Sequence, residues 1–168
     1  TLCCKVYKLM QREKIRKEMI GRLNIHLASH YGMCFGVRDA LAVTRNTYDE
    51  NEVTVLGQLV HNPLVSQELI ENGIKEGELK DPPTNTKGTV IITAHGASDS
   101  DRVRWSSPQR KVVDTTCPLV HKVHQSLAAL TVSGFFPVVI GKKGHAEVNG
   151  LIGDFPQAIV IEKEEDIF

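Results

Sequence analysis

Residues 90–118 read VIITAHGASDSDRVRWSSPQRKVVDTTCP, and the order of elements in this stretch decides the fold. A β-branched run at 90–93 suits a buried strand. A second run at 112–115 follows a segment with helical character at 99–106. Strand, helix and strand at this spacing predict two parallel strands joined by a helical crossover. Each strand gives way to a chemically distinctive residue: His95 follows the first and Cys117 the second. Pro118 then suits the first position of a new helix, where its missing N–H costs nothing.

The same alternation continues in both directions. Strands are expected at 25–29, 53–56 and 138–140, with a further strand-like run at 158–161. Helices are expected at 37–49, 63–72 and 118–133. Pro63 suits a first helical position, Gly73 and Gly134 suit the residue just past a helix end, and Asn62 is read as the cap of the helix that starts at Pro63. Residues 9–23, with Ile15, Met19 and Leu23 at four-residue spacing, suit an amphipathic helix ahead of the core. The fold class is therefore α/β, built of repeated parallel-sheet units with flanking helices.

Cys34, His61, His95, Cys117 and His145 each fall in the loop expected directly after a strand. In open parallel sheets the loops at the carboxyl ends of the strands form the ligand crevice. Five such loops could build one site that favours anions. The pattern also repeats. Cys117 follows Cys34 by 83 positions, and Gly57-x-x-x-His61 recurs 84 positions later as Gly141-x-x-x-His145. A register kept this closely argues for two similar units, at 24–116 and 117–168, after an extension at 1–23. On the same period a third cysteine is expected at about position 200, beyond this sequence. The chain starts at Thr1 without Met and stops shortly after residues 158–161, so both ends are expected to be cuts.

Composition narrows the function classes. Twenty Lys and Arg balance twenty Asp and Glu, which argues against the basic field that nucleic-acid or anionic-membrane binding uses. No apolar run approaches the roughly 20 residues needed to span a bilayer. The chain is expected to be cytoplasmic, with its four cysteines as free thiols or metal ligands rather than a disulfide framework.

Five ordered motifs carry a resemblance. They are Gly32-Met33-Cys34-Phe35-Gly36-Val37, Val60-His61-Asn62, Ala94-His95-Gly96-Ala97-Ser98, Thr116-Cys117-Pro118-Leu119-Val120 and Gly144-His145-Ala146-Glu147-x-x-Gly150. Across roughly residues 24–168 the chain resembles the LytB/IspH family of 4-hydroxy-3-methylbut-2-enyl diphosphate reductases. The resemblance implies three pseudo-symmetric α/β domains around a central cavity, of which this chain holds the first and part of the second. It implies a 4Fe-4S cluster with Cys34 and Cys117 as two of three ligands, the third cysteine missing from this chain. His61, His95 and His145 would line the diphosphate site and Glu147 would donate the proton. The implied partners are an allylic diphosphate substrate and an electron-donor protein such as ferredoxin or flavodoxin.

The implied chemistry explains the residue types. Three thiolates on four irons leave one iron open for the substrate hydroxyl. Loss of that hydroxyl as water needs a proton, and a carboxyl can supply one. Imidazoles and helix N-termini can accept the diphosphate. The products would be isopentenyl and dimethylallyl diphosphate. Three other readings stay open: a non-catalytic module that binds a phosphate ligand or a partner, a Cys/His zinc site, and a paralogue with another substrate. The compact C-x-x-C spacing of structural zinc is missing. The 168 residues alone are expected to be inactive. Cys3 and Cys4 read as inert residues of a tail, and His121 and His124 as surface or helix-packing residues.

Overall fold

The computed structural model describes residues 26–47, 52–80 and 86–167. In chain order these form α1 (Phe35–Thr47), β1 (Val53–Leu56), α2 (Pro63–Glu71), β2 (Lys75–Gly77), β3 (Gly88–Ile92) and α3 (Asp99–Trp105). Then come β4 (Arg110–Asp114), α4 (Pro118–Val132), β5 (Val138–Ile140), α5 (Ala146–Ile152), β6 (Ile159–Ile161) and a 3-10 turn (Glu164–Ile167). Four strands pair in parallel in the order β2-β1-β3-β4, and β5 pairs in parallel with β6 in a second sheet.

The apolar runs are explained by burial on both faces of the larger sheet. Val53, Val55 and Ile91 pack with Ala40 and Leu41 of α1 and with Val65 and Leu69 of α2. Their neighbours Leu56, Val90 and Ile92 point the other way, into a cluster with Trp105 of α3. The period-2 alternation of strand side chains thus divides one sheet between two cores, giving three layers. Trp105 is only 2% exposed, and its indole N–H reaches the Leu79 carbonyl at 2.8 Å, so its polar edge is not buried unpaired.

Register places the site. Leu56 pairs with Ile92, and Ile92 with Asp114, so β1, β3 and β4 end level with one another. The order also reverses here: from β1 the chain goes outward to β2, then returns to β3 and moves away to β4. With α2 and α3 on opposite faces, the loops after β1 and β3 diverge at a topological switch point, where a crevice opens.

Helix ends follow their local signals. Asn62 Oδ1 accepts the Leu64 N–H at 3.1 Å, and Pro63 and Pro118 open α2 and α4. After α4, Gly134 turns to φ +88°, and the N–H groups of Gly134 and Phe135 close on the Thr131 and Leu130 carbonyls at 3.0 and 3.1 Å. This left-handed closure satisfies carbonyls that the helix end leaves open.

Four expectations are corrected or fall outside. Of the strand expected at 25–29, residues 26–29 are described and are not strand, and none of the described strands pairs with them. The helix expected at 9–23 lies outside the described residues. Strand β2 was not expected, since Lys75-Glu76-Gly77 has poor strand propensity; its pairing with β1 is what makes it a strand. Helix α5 was also missed. Asn149 and Gly150 weaken its helical signal, and a Cβ on Gly150 would make only ordinary contact, 3.4 Å from the Gly96 carbonyl oxygen.

The second sheet is thinner. Ile140 is 84% exposed, and Val138, Ile159, Leu119 and Val123 are also open to solvent. Parallel strands are ordinarily covered on both faces, so this apolar surface has no partner among the described residues.

Candidate active site

Three histidines from three separate loops meet at the crevice. The His61 and His95 rings lie 5.0 Å apart, His95 and His145 5.5 Å, and His61 and His145 5.9 Å. His61 comes from the loop after β1, His95 from the loop after β3, and His145 from the loop after β5. Residues in two different sheets therefore converge, as the common loop position predicts.

Each ring is held differently. His61 Nδ1 pairs with Gln58 Oε1 at 3.1 Å, inside the same Gly57-x-x-x-His61 loop. His145 caps α5: its Nδ1 accepts the Glu147 backbone N–H at 3.3 Å. That contact leaves Nδ1 without a proton and directs the imidazole N–H to Nε2. The Glu147 carboxylate lies 4.0 Å from the same Nδ1. Because this nitrogen already accepts a bond, the carboxylate contact is proximity rather than a salt bridge. Glu147 is half-exposed beside the histidines and lines a neighbouring pocket with His145 rather than the one lined by all three rings.

His95 is the most enclosed. Its Nε2 is buried with no hydrogen-bond partner among the described residues. Burial first, then His61 and His145, pushes His95 below the usual histidine range, with Glu147 opposing. An anion beside His95 would favour its charged form and oppose these effects. A buried ring nitrogen without a protein partner is ordinarily satisfied by water or a ligand, and a ligand oxygen in the pocket would serve.

A pocket of ≈ 530 Å³ opens over this cluster. It is lined by all three histidines, the Gly96 and Gly144 turns, and Lys80, Lys142 and Lys143. Lys143 is committed elsewhere, to Asp166 at 2.7 Å. Lys142, from the loop after β5, is a wall of the pocket.

The two cysteines sit at equivalent helix starts. The Cys34 and Cys117 carbonyls each close the first turn of a helix, at 3.0 Å to Arg38 N and 3.0 Å to His121 N. Cys34 is exposed and Cys117 half-buried, and both are free thiols. Cys34 follows no described strand, contrary to expectation, and is placed by α1 instead. The loops nonetheless meet: a Cβ on Gly36 would lie 2.7 Å from Cys117 Sγ. Cys117 is tied to the histidine loop by its N–H, which donates to the Ala94 carbonyl at 3.1 Å. Among the described residues no three His, Cys, Asp or Glu side chains are grouped to hold a metal ion. Two thiols beside a glycine cradle suit part of a thiolate-held cluster, and they are too few for a complete one.

His124 Nε2 is likewise buried and unpaired, and it lies 3.5 Å from where a Gly96 Cβ would stand. It packs beneath the His95 loop, in keeping with the helix-packing reading. Asp114 is displaced in its titration: burial raises it, but hydrogen bonds from Thr116 and Arg102 outweigh that and hold it below the ordinary carboxylate range.

Among the described residues no helix is long and apolar enough to cross a membrane. The family model described as LytB protein matches residues 25–168. Curated relatives named 4-hydroxy-3-methylbut-2-enyl diphosphate reductase include that of Pseudothermotoga lettingae, 34% identical, with 86% of this chain and 53% of the relative covered. That of Dictyoglomus thermophilum is 38% identical, with 85% and 50% covered. A solved structure of (E)-4-hydroxy-3-methyl-but-2-enyl diphosphate reductase, described as the terminal enzyme of the non-mevalonate pathway, superimposes with TM-score 0.72 at 34% identity, covering 85% of this chain and 52% of the other. The Plasmodium falciparum reductase gives TM-score 0.73 at 29% identity, covering 81% and 43%. The chain thus spans about half the length of the relatives it matches. By its motifs, its fold and the match across residues 25–168, the chain belongs to the LytB family.

Proposed function

We propose that this chain is the anion-gripping, two-cysteine portion of a reductase that removes the hydroxyl of 4-hydroxy-3-methylbut-2-enyl diphosphate to give isopentenyl and dimethylallyl diphosphate. The observation that carries the reading is the three-histidine cluster, with ring centroids 5.0, 5.5 and 5.9 Å apart and one ring nitrogen buried without a partner. Core packing has no use for three imidazoles from three loops. A diphosphate oxygen supplies the missing partner and offsets the burial and repulsion that disfavour protonation of His95.

The overall reaction adds two electrons and two protons to the allylic alcohol, breaks the C–O bond, forms a C–H bond and releases water. Cys34 and Cys117 would hold two positions of a 4Fe-4S cluster. When bound, the cluster supplies electrons singly and an open iron for the hydroxyl. His145, with its Nδ1 accepting the Glu147 N–H, keeps its Nε2 as the donor for an anion. Glu147 supplies a proton to the departing oxygen. Electrons would come from a ferredoxin- or flavodoxin-like donor in the cytoplasm. The repeat supports units at 24–116 and 117–168, each with a Cys loop, a helix, a strand and a His loop.

The test is calorimetric titration of the chain with inorganic diphosphate at pH 7.5. Binding weakened about 10-fold or more in His95→Ala is expected, on the scale of a lost charge-assisted hydrogen bond. No binding to the unaltered chain would overturn the reading.

A further inference from the structure

We infer that Arg102 is a positioning residue that locks the Cys117 loop to the His95 loop, keeping a cluster thiol in register with the anion-binding histidines. The inference rests on the proposed function for what those loops hold, and on geometry alone for how they are held.

Arg102 projects from α3 with its side chain only 21% exposed, and its guanidinium is shared among both loops. Nη1 donates to the Ala97 carbonyl at 2.5 Å, two residues past His95, and to Asp99 Oδ1 in the first turn of its own helix at 3.1 Å. Nε donates to Asp114 Oδ2 at 2.8 Å, and Nη2 to Thr116 Oγ1 at 3.3 Å, immediately before Cys117. Asp114 in turn folds back on Thr116, accepting its backbone N–H at 2.9 Å and its hydroxyl proton. The Thr116 methyl would meet a Gly96 Cβ at 3.0 Å, so the two loops touch where Arg102 joins them.

Two backbone bonds already join the loops, and Arg102 adds side-chain ties to them. The ladder between β3 and β4 runs out at two rungs, Thr115 N–H to Ile92 and Cys117 N–H to Ala94. Arg102 bridges Ala97 in one loop to Asp114 and Thr116 in the other, and the Thr115 hydroxyl donates across to the Ile92 carbonyl at 2.6 Å. The first turn of α3 has capping partners besides Arg102. Ser98 Oγ accepts the Asp101 N–H at 3.0 Å, and Asp154 accepts those of Asp99 and Ser100 at 2.6 and 3.0 Å. A planar fork with several fixed donors can serve a carbonyl, a carboxylate and a hydroxyl at once; a lysine ammonium on a flexible stem cannot.

The test uses the 168-residue chain with Cys3 and Cys4 changed to Ser, so that Cys34 and Cys117 are its only thiols. Dibromobimane, which bridges only neighbouring thiols, reports how often Cys117 lies beside Cys34. Arg102→Gln is expected to slow bridging about 5-fold or more, the effect of losing roughly one net hydrogen bond of positioning. Simple alkylation of Cys34 should be unchanged. Arg102→Lys should recover the thermal midpoint while bridging stays slow, which a purely structural charge would not produce. Thr116→Val, which leaves the Arg102–Asp114 pair in place, should slow bridging about 2- to 3-fold and serves if Arg102→Gln does not fold. Bridging at the unaltered rate in Arg102→Gln, or in Thr116→Val where only that variant folds, overturns the inference, as does full recovery by Arg102→Lys. Failure of the chain to bind diphosphate would instead remove the proposed function and leave this result standing.

Discussion

Gly36 lies so close to Cys117 that a Cβ on the glycine would stand 2.7 Å from the sulfur and 2.9 Å from the cysteine Cβ. These residues are far apart in sequence, yet the start of α1 is seated against the start of α4, bringing the two cysteine loops together. Gly36 has no left-handed backbone torsion. The glycine is therefore needed for space rather than for conformation.

Gly36→Ala should consequently damage the cysteine pair directly. The added methyl must push the short Cys117 side chain or its backbone, at a cost of about 1–3 kcal/mol typical of overpacking. Thermal unfolding should show a midpoint lowered by about 2–4 °C for each kcal/mol. An unchanged midpoint would mean that the two helix starts separate easily.

Glu147→Gln should keep the shape of the site and remove its proton. In a chimera of this chain with the remaining half of the Dictyoglomus thermophilum relative, turnover with a chemical reductant should fall roughly 10²-fold, the scale of losing a general acid. Diphosphate affinity should change little. Near-normal turnover, with the chemical step limiting, would exclude Glu147 as the donor.

His95 makes stability depend on pH in a definite sense. Burial and the neighbouring histidines hold its folded-state value below the unfolded 6.5. The unfolded chain thus takes up a proton first as pH falls. The contribution of neutral His95 is fully present above 6.5 and is lost as pH falls through its lower folded value, with a slope of at most ~1.4 kcal/mol per pH unit. Urea midpoints should drop more between pH 7.5 and 5.5 in the unaltered chain than in His95→Gln. Inorganic diphosphate should raise the His95 midpoint in an NMR titration, because the anion favours the charged ring.

Asp154 joins the end of α5 to the start of α3 by accepting two backbone N–H groups. Asp154→Ala should cost about 1 kcal/mol, the usual effect of losing a helix-cap acceptor. Chemical denaturation at pH 7 measures it, and Asp154→Asn should retain part of the contact.

The 168 residues alone should not hold a stoichiometric four-iron cluster. Cys34 and Cys117 supply two thiolates, and an open-iron cluster calls for three. Anaerobic reconstitution with iron and sulfide analysis should give substoichiometric, labile iron and no sustained turnover. The exposed Ile140, Leu119 and Val123 should also promote association, visible by light scattering. A stable cluster with turnover in the monomer would overturn the proposed ligand set.

The sequence by itself determined what short-range physics controls. Strand β1 and helices α2, α3 and α4 lie where apolar period and caps put them, because Pro63, Pro118, Asn62, Gly73 and Gly134 act on the backbone beside them. The placement of His61, His95, Cys117 and His145 after strands was equally legible. Tertiary structure decided the rest. Lys75–Gly77 became a strand only because β1 offered an edge, whereas no described strand pairs with residues 26–29, and parallel pairing is never visible in the paired segment alone. The repeated Gly-x-x-x-His motif conceals two causes: Gly57 needs its φ of +91°, while a Cβ on Gly141 would collide with Val148 at 2.8 Å. The Arg102 ties to both loops, the Gly36–Cys117 contact and the meeting of three imidazoles depend on residues distant in sequence, and only the folded packing of the two sheets brings them within reach.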